Sequence, residues 1–143
     1  MCRAHATVRG LLGEIVAGAS DVAVADMEAG LEHLSRGTPR HTDAIVAVLE
    51  PYYRSLETGA RVLDLTRELG ITRAYAVANK VRTPEDRDAV EAFCRSRGLS
   101  LLATVPHDEA ILDADRQGLA LLDHAPDAPA VRAIAAIADQ LLG

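Results

Sequence analysis

The sequence predicts an α/β domain, an open parallel sheet with flanking helices. Three observations carry the prediction. Short apolar runs recur at residues 22–25, 44–49, 74–78 and 101–105, and each is nearly continuous rather than alternating. Strands of that kind are covered on both faces, as parallel strands are. Stretches with helical spacing separate the later runs, which is the βαβ pattern of a parallel sheet. Finally, polar motifs follow directly on the runs. Loops at the carboxyl ends of parallel strands are where such sheets hold ligands.

Taken in order, the expected elements are α-β-β-α-β-α-β-α. A first helix is expected over 5–16. The run 22–25 ends in Asp26, and a long polar link leads to the run 44–49. Leu56, Ala60, Leu63 and Leu69 then recur at helical spacing, and Gly70 supplies a C-terminal stop. After 74–78, Pro84-Glu85-Asp86 opens a helix with Pro in the first turn and acids near the positive end of the dipole. Val90, Phe93 and Cys94 form its apolar stripe, and Gly98 ends it. Asp108 is a suitable N-cap for a short helix over 109–115. A last helix is expected over 128–142. There is no internal repeat or linker, so residues 1–143 read as a single domain.

The chain has 143 residues, enough to bury a core, with 49% hydrophobic and 25% charged side chains. It has no Trp and one Phe, so Ala, Val, Leu and Ile must build that core. A formal net charge of −6 argues against a nucleic-acid partner, which requires a basic face. No apolar run reaches the roughly 20 residues of a membrane span. Cys2 and Cys94 are far apart and suggest no disulfide framework, which points to a reducing cytoplasm.

Three segments carry chemistry. Asp26, at the end of an apolar run, is suited to hold a water on Mg²⁺, and Ala29-Gly30 lets the backbone approach a terminal phosphate. The bland alternative is that Asp26 only begins a turn. Asn79 offers a donor and an acceptor that match a purine edge, and the aliphatic stem of Lys80 is suited to lie over a ring. Lys80 is the sole lysine among 15 Lys and Arg side chains. The alternative is a polar pair at a strand end with no ligand. Pro106-His107-Asp108-Glu109 follows the fourth run, where Asp108 caps a helix and the backbone lines a pocket. Cys2 and His5 are both metal-ligand types, but one of each makes no closed site, and an incidental Cys at a frayed terminus is the plainer reading.

Read together, these segments resemble a known family. Asp26-Met27-Glu28-Ala29-Gly30-Leu31-Glu32-His33-Leu34-Ser35-Arg36-Gly37-Thr38 resembles the second-switch segment of the carbon monoxide dehydrogenase maturation ATPases. These are nickel-insertion accessory proteins within the MinD/ParA-type deviant-Walker P-loop ATPases. Glu50-Pro51 with Arg54-Ser55 looks like the next segment of that family. Asn79-Lys80-Val81-Arg82 is similar to its adenine-contacting motif. Val105-Pro106-His107-Asp108-Glu109-Ala110-Ile111 resembles its last base-pocket loop.

The resemblance is collinear over almost the whole chain, and it implies the C-terminal portion of a MinD/ParA-like ATPase domain. The implied fold is an incomplete P-loop NTPase, Rossmann-like with three layers. The implied cofactors are ATP or ADP with Mg²⁺. Asp26 would sense Mg²⁺ through water and Gly30 the terminal phosphate. Asn79, Lys80, Arg82, Pro106 and Asp108 would form the base pocket. The family's Cys-x-Cys motif binds one metal across a dimer. Cys2 stands at its second position and Met1 at its first, so nickel or zinc binding here would use half the ligands. Implied partners are a second copy or a partner ATPase subunit, with carbon monoxide dehydrogenase or another metalloenzyme as client.

No Gly-rich loop ending in Lys-Ser or Lys-Thr occurs in the chain. Such a loop cradles the phosphates and its hydroxyl binds Mg²⁺. The chain alone is therefore expected not to turn over nucleotide, with the family's front half on another chain or lost. One alternative is a standalone binding or dimerisation module without turnover. Another is a phosphoacceptor domain using Asp26 and Lys80, which would need an acidic pair after an earlier strand.

Overall fold

The computed structural model describes residues 22–27 and 42–143. The elements are β1 (Ile45–Leu49), α1 (Tyr53–Glu68), β2 (Ala74–Val81), α2 (Pro84–Ser96), β3 (Leu101–Pro106), α3 (Glu109–Gln117), α4 (Leu121–His124) and α5 (Pro129–Leu142). The strands form a three-stranded sheet in the order β1-β2-β3, and both pairings are parallel. The open parallel sheet with flanking helices is thus as expected.

One expected strand is corrected. Residues 22–25 are not a strand, and Val22 and Val24 are 49% and 90% exposed. An apolar run becomes a strand only by pairing its backbone with a neighbour. No described strand lies beside this one. The expected helix over 5–16, Cys2, Gly30 and most of the polar link lie outside the described residues.

The sheet separates two apolar clusters. On one face, α1 and α2 pack through Leu56, Ala60, Leu63, Val90 and Cys94 against Ala47, Leu49, Ala74, Ala76 and Ala78. On the other, α5 packs through Ala130, Ala133 and Ile137 against Val77, Val105, Val46 and Leu102. The three alanines of β2 leave room for helices to come close. At Gly59 the approach is closest, since an added Cβ would lie 1.8 Å from Cδ2 of Leu49.

Helix ends follow local chemistry. Gly70 has φ +83. Its N–H donates to Arg67 O (2.9 Å) and the Ile71 N–H to Thr66 O (3.2 Å), a Schellman stop that satisfies the last carbonyls of α1. At the start of α2, the Thr83 side chain accepts from the Asp86 N–H at 3.2 Å, with Pro84 in the first turn. The exposed Glu85 carboxyl is held below its usual range by hydrogen bonds from its own backbone and from Thr83.

Both bulges in the sheet matter for the site. In β3 the pairing steps from Ala76↔Leu101 to Val77↔Ala103, so Leu102 is an extra residue. The step reverses the alternation. It turns Thr104 toward α2, where Arg87 Nη2 donates to its Oγ1 at 3.1 Å, and Val105 toward α5. In β2 the pairing steps from Ala78↔Thr104 to Val81↔Pro106, which sets Asn79 and Lys80 opposite Val105 alone.

Candidate functional site: the carboxyl edge of the sheet

The parallel order puts the carboxyl ends of β1, β2 and β3 side by side. Glu50 follows β1, residues 79–82 close β2, and Pro106-His107-Asp108 closes β3. The structure brings these three groups together. The His107 N–H donates to Val81 O at 2.9 Å, and Pro106 is the register partner of Val81. Lys80 Nζ lies 2.8 Å from Glu50 Oε1.

The β2 bulge is the central feature of this edge. Among the described residues, Lys80 is the one non-glycine with positive φ, at 56°. An L-residue in that region costs about 1–2 kcal/mol relative to the right-handed region. Strain of this kind collects at functional sites. The Lys80 N–H donates to Asn79 Oδ1 at 3.0 Å, so the carboxamide is turned with its oxygen inward along the chain. That leaves the two Asn79 N–H donors and one further lone pair of the oxygen for a ligand. Asn79 is half-buried and Lys80 exposed.

Arg82 is exposed, and its backbone N–H donates to Asp86 Oδ2 at 3.0 Å. The first turn of α2 therefore holds the end of the motif in place. Asp108 has two backbone partners. Its Oδ1 accepts from Ala110 N–H at 3.1 Å and its Oδ2 from Ala130 N–H at 3.1 Å. Both oxygens are engaged by the starts of α3 and α5. The expected cap is there, doubled, and Asp108 shapes the loop rather than offering a free charge. Half-buried His107 places Nδ1 3.7 Å from Glu109 Oε1.

Asp26 is exposed, and no hydrogen bond or ion pair among the described residues joins it to Glu50, Asn79 or Lys80. No group of three or more His, Cys, Asp or Glu among the described residues is placed to hold a metal ion. A shallow recess lined by Thr42, Asp43, Leu69, Gly70, Ile71 and Thr72 lies at the amino end of β1, the opposite edge from the motifs.

Sequence reasoning gave Glu50 no role, although the structure makes it the partner of Lys80. The available signal was positional. Glu50 directly follows one strand and the sole lysine closes the next, and parallel neighbours align their ends.

Known proteins give this edge a context. The carbon monoxide dehydrogenase accessory protein CooC of Rhodospirillum rubrum is 40% identical over 126 residues, which is 88% of this chain and 47% of that protein. An uncharacterised ATP-binding protein of Methanocaldococcus jannaschii is 34% identical over 82% of this chain and 46% of its own length. The chain is homologous to CooC. Among solved structures, the MinC:MinD cell division protein complex of Aquifex aeolicus superposes with a TM-score of 0.79 at 21% identity, covering 97% of this chain and 59% of that one. That likeness establishes the MinD-type fold. No protein-family profile matches the chain. This chain thus spans about half the length of CooC and of the other curated relatives it matches. Among the described residues no helix is long and apolar enough to cross a membrane.

Proposed function

We propose that this chain supplies the adenine-recognition edge of a CooC-like, ATP-dependent switch protein. The observation that carries this is the strained bulge at Asn79-Lys80, at the carboxyl end of β2, in a homologue of ATP-binding proteins. The Asn79 carboxamide reads the donor–acceptor edge of adenine. The Lys80 stem lies along the ring, and the loop at Pro106, held by Asp108, closes the pocket from the β3 side. Arg82, anchored through its backbone N–H to Asp86, closes the same edge of the pocket.

Asp26 and Gly30 would meet Mg²⁺ and the terminal phosphate in the whole nucleotide site. Those two roles rest on the resemblance of their segment. In that whole site, ATP with Mg²⁺ would bring two subunits together and hydrolysis would release them, with metal delivery to carbon monoxide dehydrogenase or another metalloenzyme client as the output. Cys2 would be one ligand of a metal shared between subunits. A cytoplasmic location suits this role. The resemblance to CooC and to ATP-binding proteins does not favour the alternative, a standalone binding or dimerisation module without nucleotide turnover.

Calorimetry and NMR titration of the 143-residue chain with ATP, with and without Mg²⁺, test the proposal. A base contact without phosphate-loop contacts binds no tighter than about millimolar, roughly 4 kcal/mol of association free energy. Resonances of Asn79, Lys80 and the Pro106 loop should move. A micromolar constant would refute the assignment of a base edge alone. Unmoved Asn79 resonances at saturating ATP would refute the pocket.

A further inference from the structure

A bulge residue has more freedom to aim its side chain than a paired one, so something must fix the direction of Lys80. Two contacts do so. The carboxamide of Asn79 takes its N–H, and Glu50 takes its ammonium at 2.8 Å. Glu50 is itself held. Its backbone N–H donates to Ser55 Oγ at 2.9 Å, and Pro51 restricts the residue before it to extended conformations. The carboxylate therefore sits on a stiff corner between β1 and α1. Lys80 reaches from the end of β2 to that corner, across the gap of roughly 4.8 Å between neighbouring strands.

We propose that Glu50 is a positioning residue of the nucleotide pocket. It draws the Lys80 stem across the carboxyl ends of β1 and β2, so that four methylenes form a flat apolar wall beside the Asn79 carboxamide. This rests on the adenine-edge reading. Glu50 itself makes no contact with the base and acts only through Lys80. The pair is exposed, with side chains 56% and 33% accessible for Lys80 and Glu50. Exposed pairs add little to folding stability, so losing this one should alter the pocket without unfolding the chain.

The lone lysine makes the test direct. A chain labelled with ¹³C-lysine shows a single ε-methylene resonance, that of Lys80. In the natural sequence this methylene is motionally restrained, and titration with adenosine, which lacks phosphate, shifts it together with the Asn79 side-chain amide. Glu50→Ala releases the methylene and weakens adenosine binding about threefold, the range open to an exposed charge pair. Glu50→Gln does the same at low salt and converges with the natural sequence at high salt. In a Lys80→Ala background, Glu50→Ala has no further effect. The urea midpoint stays unchanged in each Glu50 variant.

An ε-methylene equally mobile with and without Glu50 overturns the proposal, as do additive effects of Glu50→Ala and Lys80→Ala on binding. A restrained methylene that adenosine does not shift overturns the pocket itself, and with it any role for Glu50 there. The failures are told apart because methylene mobility is read without ligand, and additivity is read only where adenosine binds.

Discussion

At Gly59, α1 meets the sheet with no room for a methyl group. A Cβ there would lie 1.8 Å from Leu49 Cδ2, and Leu49 is fully buried at 0% exposure. That side chain has no solvent to swing into. In an exposed helix, replacing Gly by Ala gains about 1 kcal/mol from propensity. Here overpacking opposes the gain and exceeds it, at about 1–3 kcal/mol. Gly59→Ala is therefore expected to lower the free energy of unfolding in urea. Adding Leu49→Val should recover part of the loss, because two changes in contact do not add. A Gly59→Ala chain more stable than the natural one would show that α1 sits further from β1 than described.

Asp108 ties two helices to one strand end, and its loss is an element-scale event. Removing one N-cap costs roughly 1 kcal/mol, and Asp108→Ala removes acceptors for both Ala110 and Ala130, so about 1–2 kcal/mol is expected. Hydrogen exchange should quicken at both amides. Asp108→Asn keeps one carbonyl oxygen, so one amide stays protected and the loss is smaller. Equal exchange at both amides in Asp108→Ala and the natural chain would remove Asp108 as the joint. The same residue separates what the sequence discloses from what it hides. An Asp before a short helical stretch discloses the cap on α3, because that bond is local. The bond to Ala130 spans 22 residues and depends on how α5 returns to the sheet. The three paired strands were legible because continuous apolar runs flanked by helical spacing leave few alternatives. The run at 22–25 had the same composition but no described partner, and composition does not report pairing. The four-residue α4 is too short to express a period. The bulge at Lys80 was hidden because Lys, unlike Gly, gives no warning of positive φ. The residue types in Asn79-Lys80-Val81-Arg82 still mark this strand end as a candidate site, since they bring donors, an acceptor and charge to it.

Across the whole molecule, the two faces of the sheet are unequally secured. Among the described residues, the α1/α2 side buries Leu49, Leu56, Leu63, Val90, Cys94 and Leu99, whereas the α5 side buries Val77, Val105 and Ala130. Beyond those, α5 is held by Ala130 N–H to Asp108 and by Arg73 Nη2 to Leu141 O at 2.7 Å. Ile134 and Leu142 of α5 are 51% and 63% exposed, so much of its apolar surface gives no burial energy. Segments with fewer buried apolar contacts open at lower free energy. The α5 amides are therefore expected to exchange through a sub-global opening with little urea dependence, while β2 amides wait for global unfolding. Cys94 gives an independent clock, because it is 2% exposed within the larger cluster. Its alkylation, located by peptide mapping, should track global unfolding. Burial pushes its thiol above the ordinary value of 9.0, which adds a pH signature. The unfolded chain ionises first, so this contribution is complete below pH 9.0 and is lost as pH rises through the folded value. Stability should decline above that pH, and Cys94→Ala should flatten the decline. If α5 amides and Cys94 report one free energy and one urea slope, the chain opens as a single unit and the two faces are energetically equivalent.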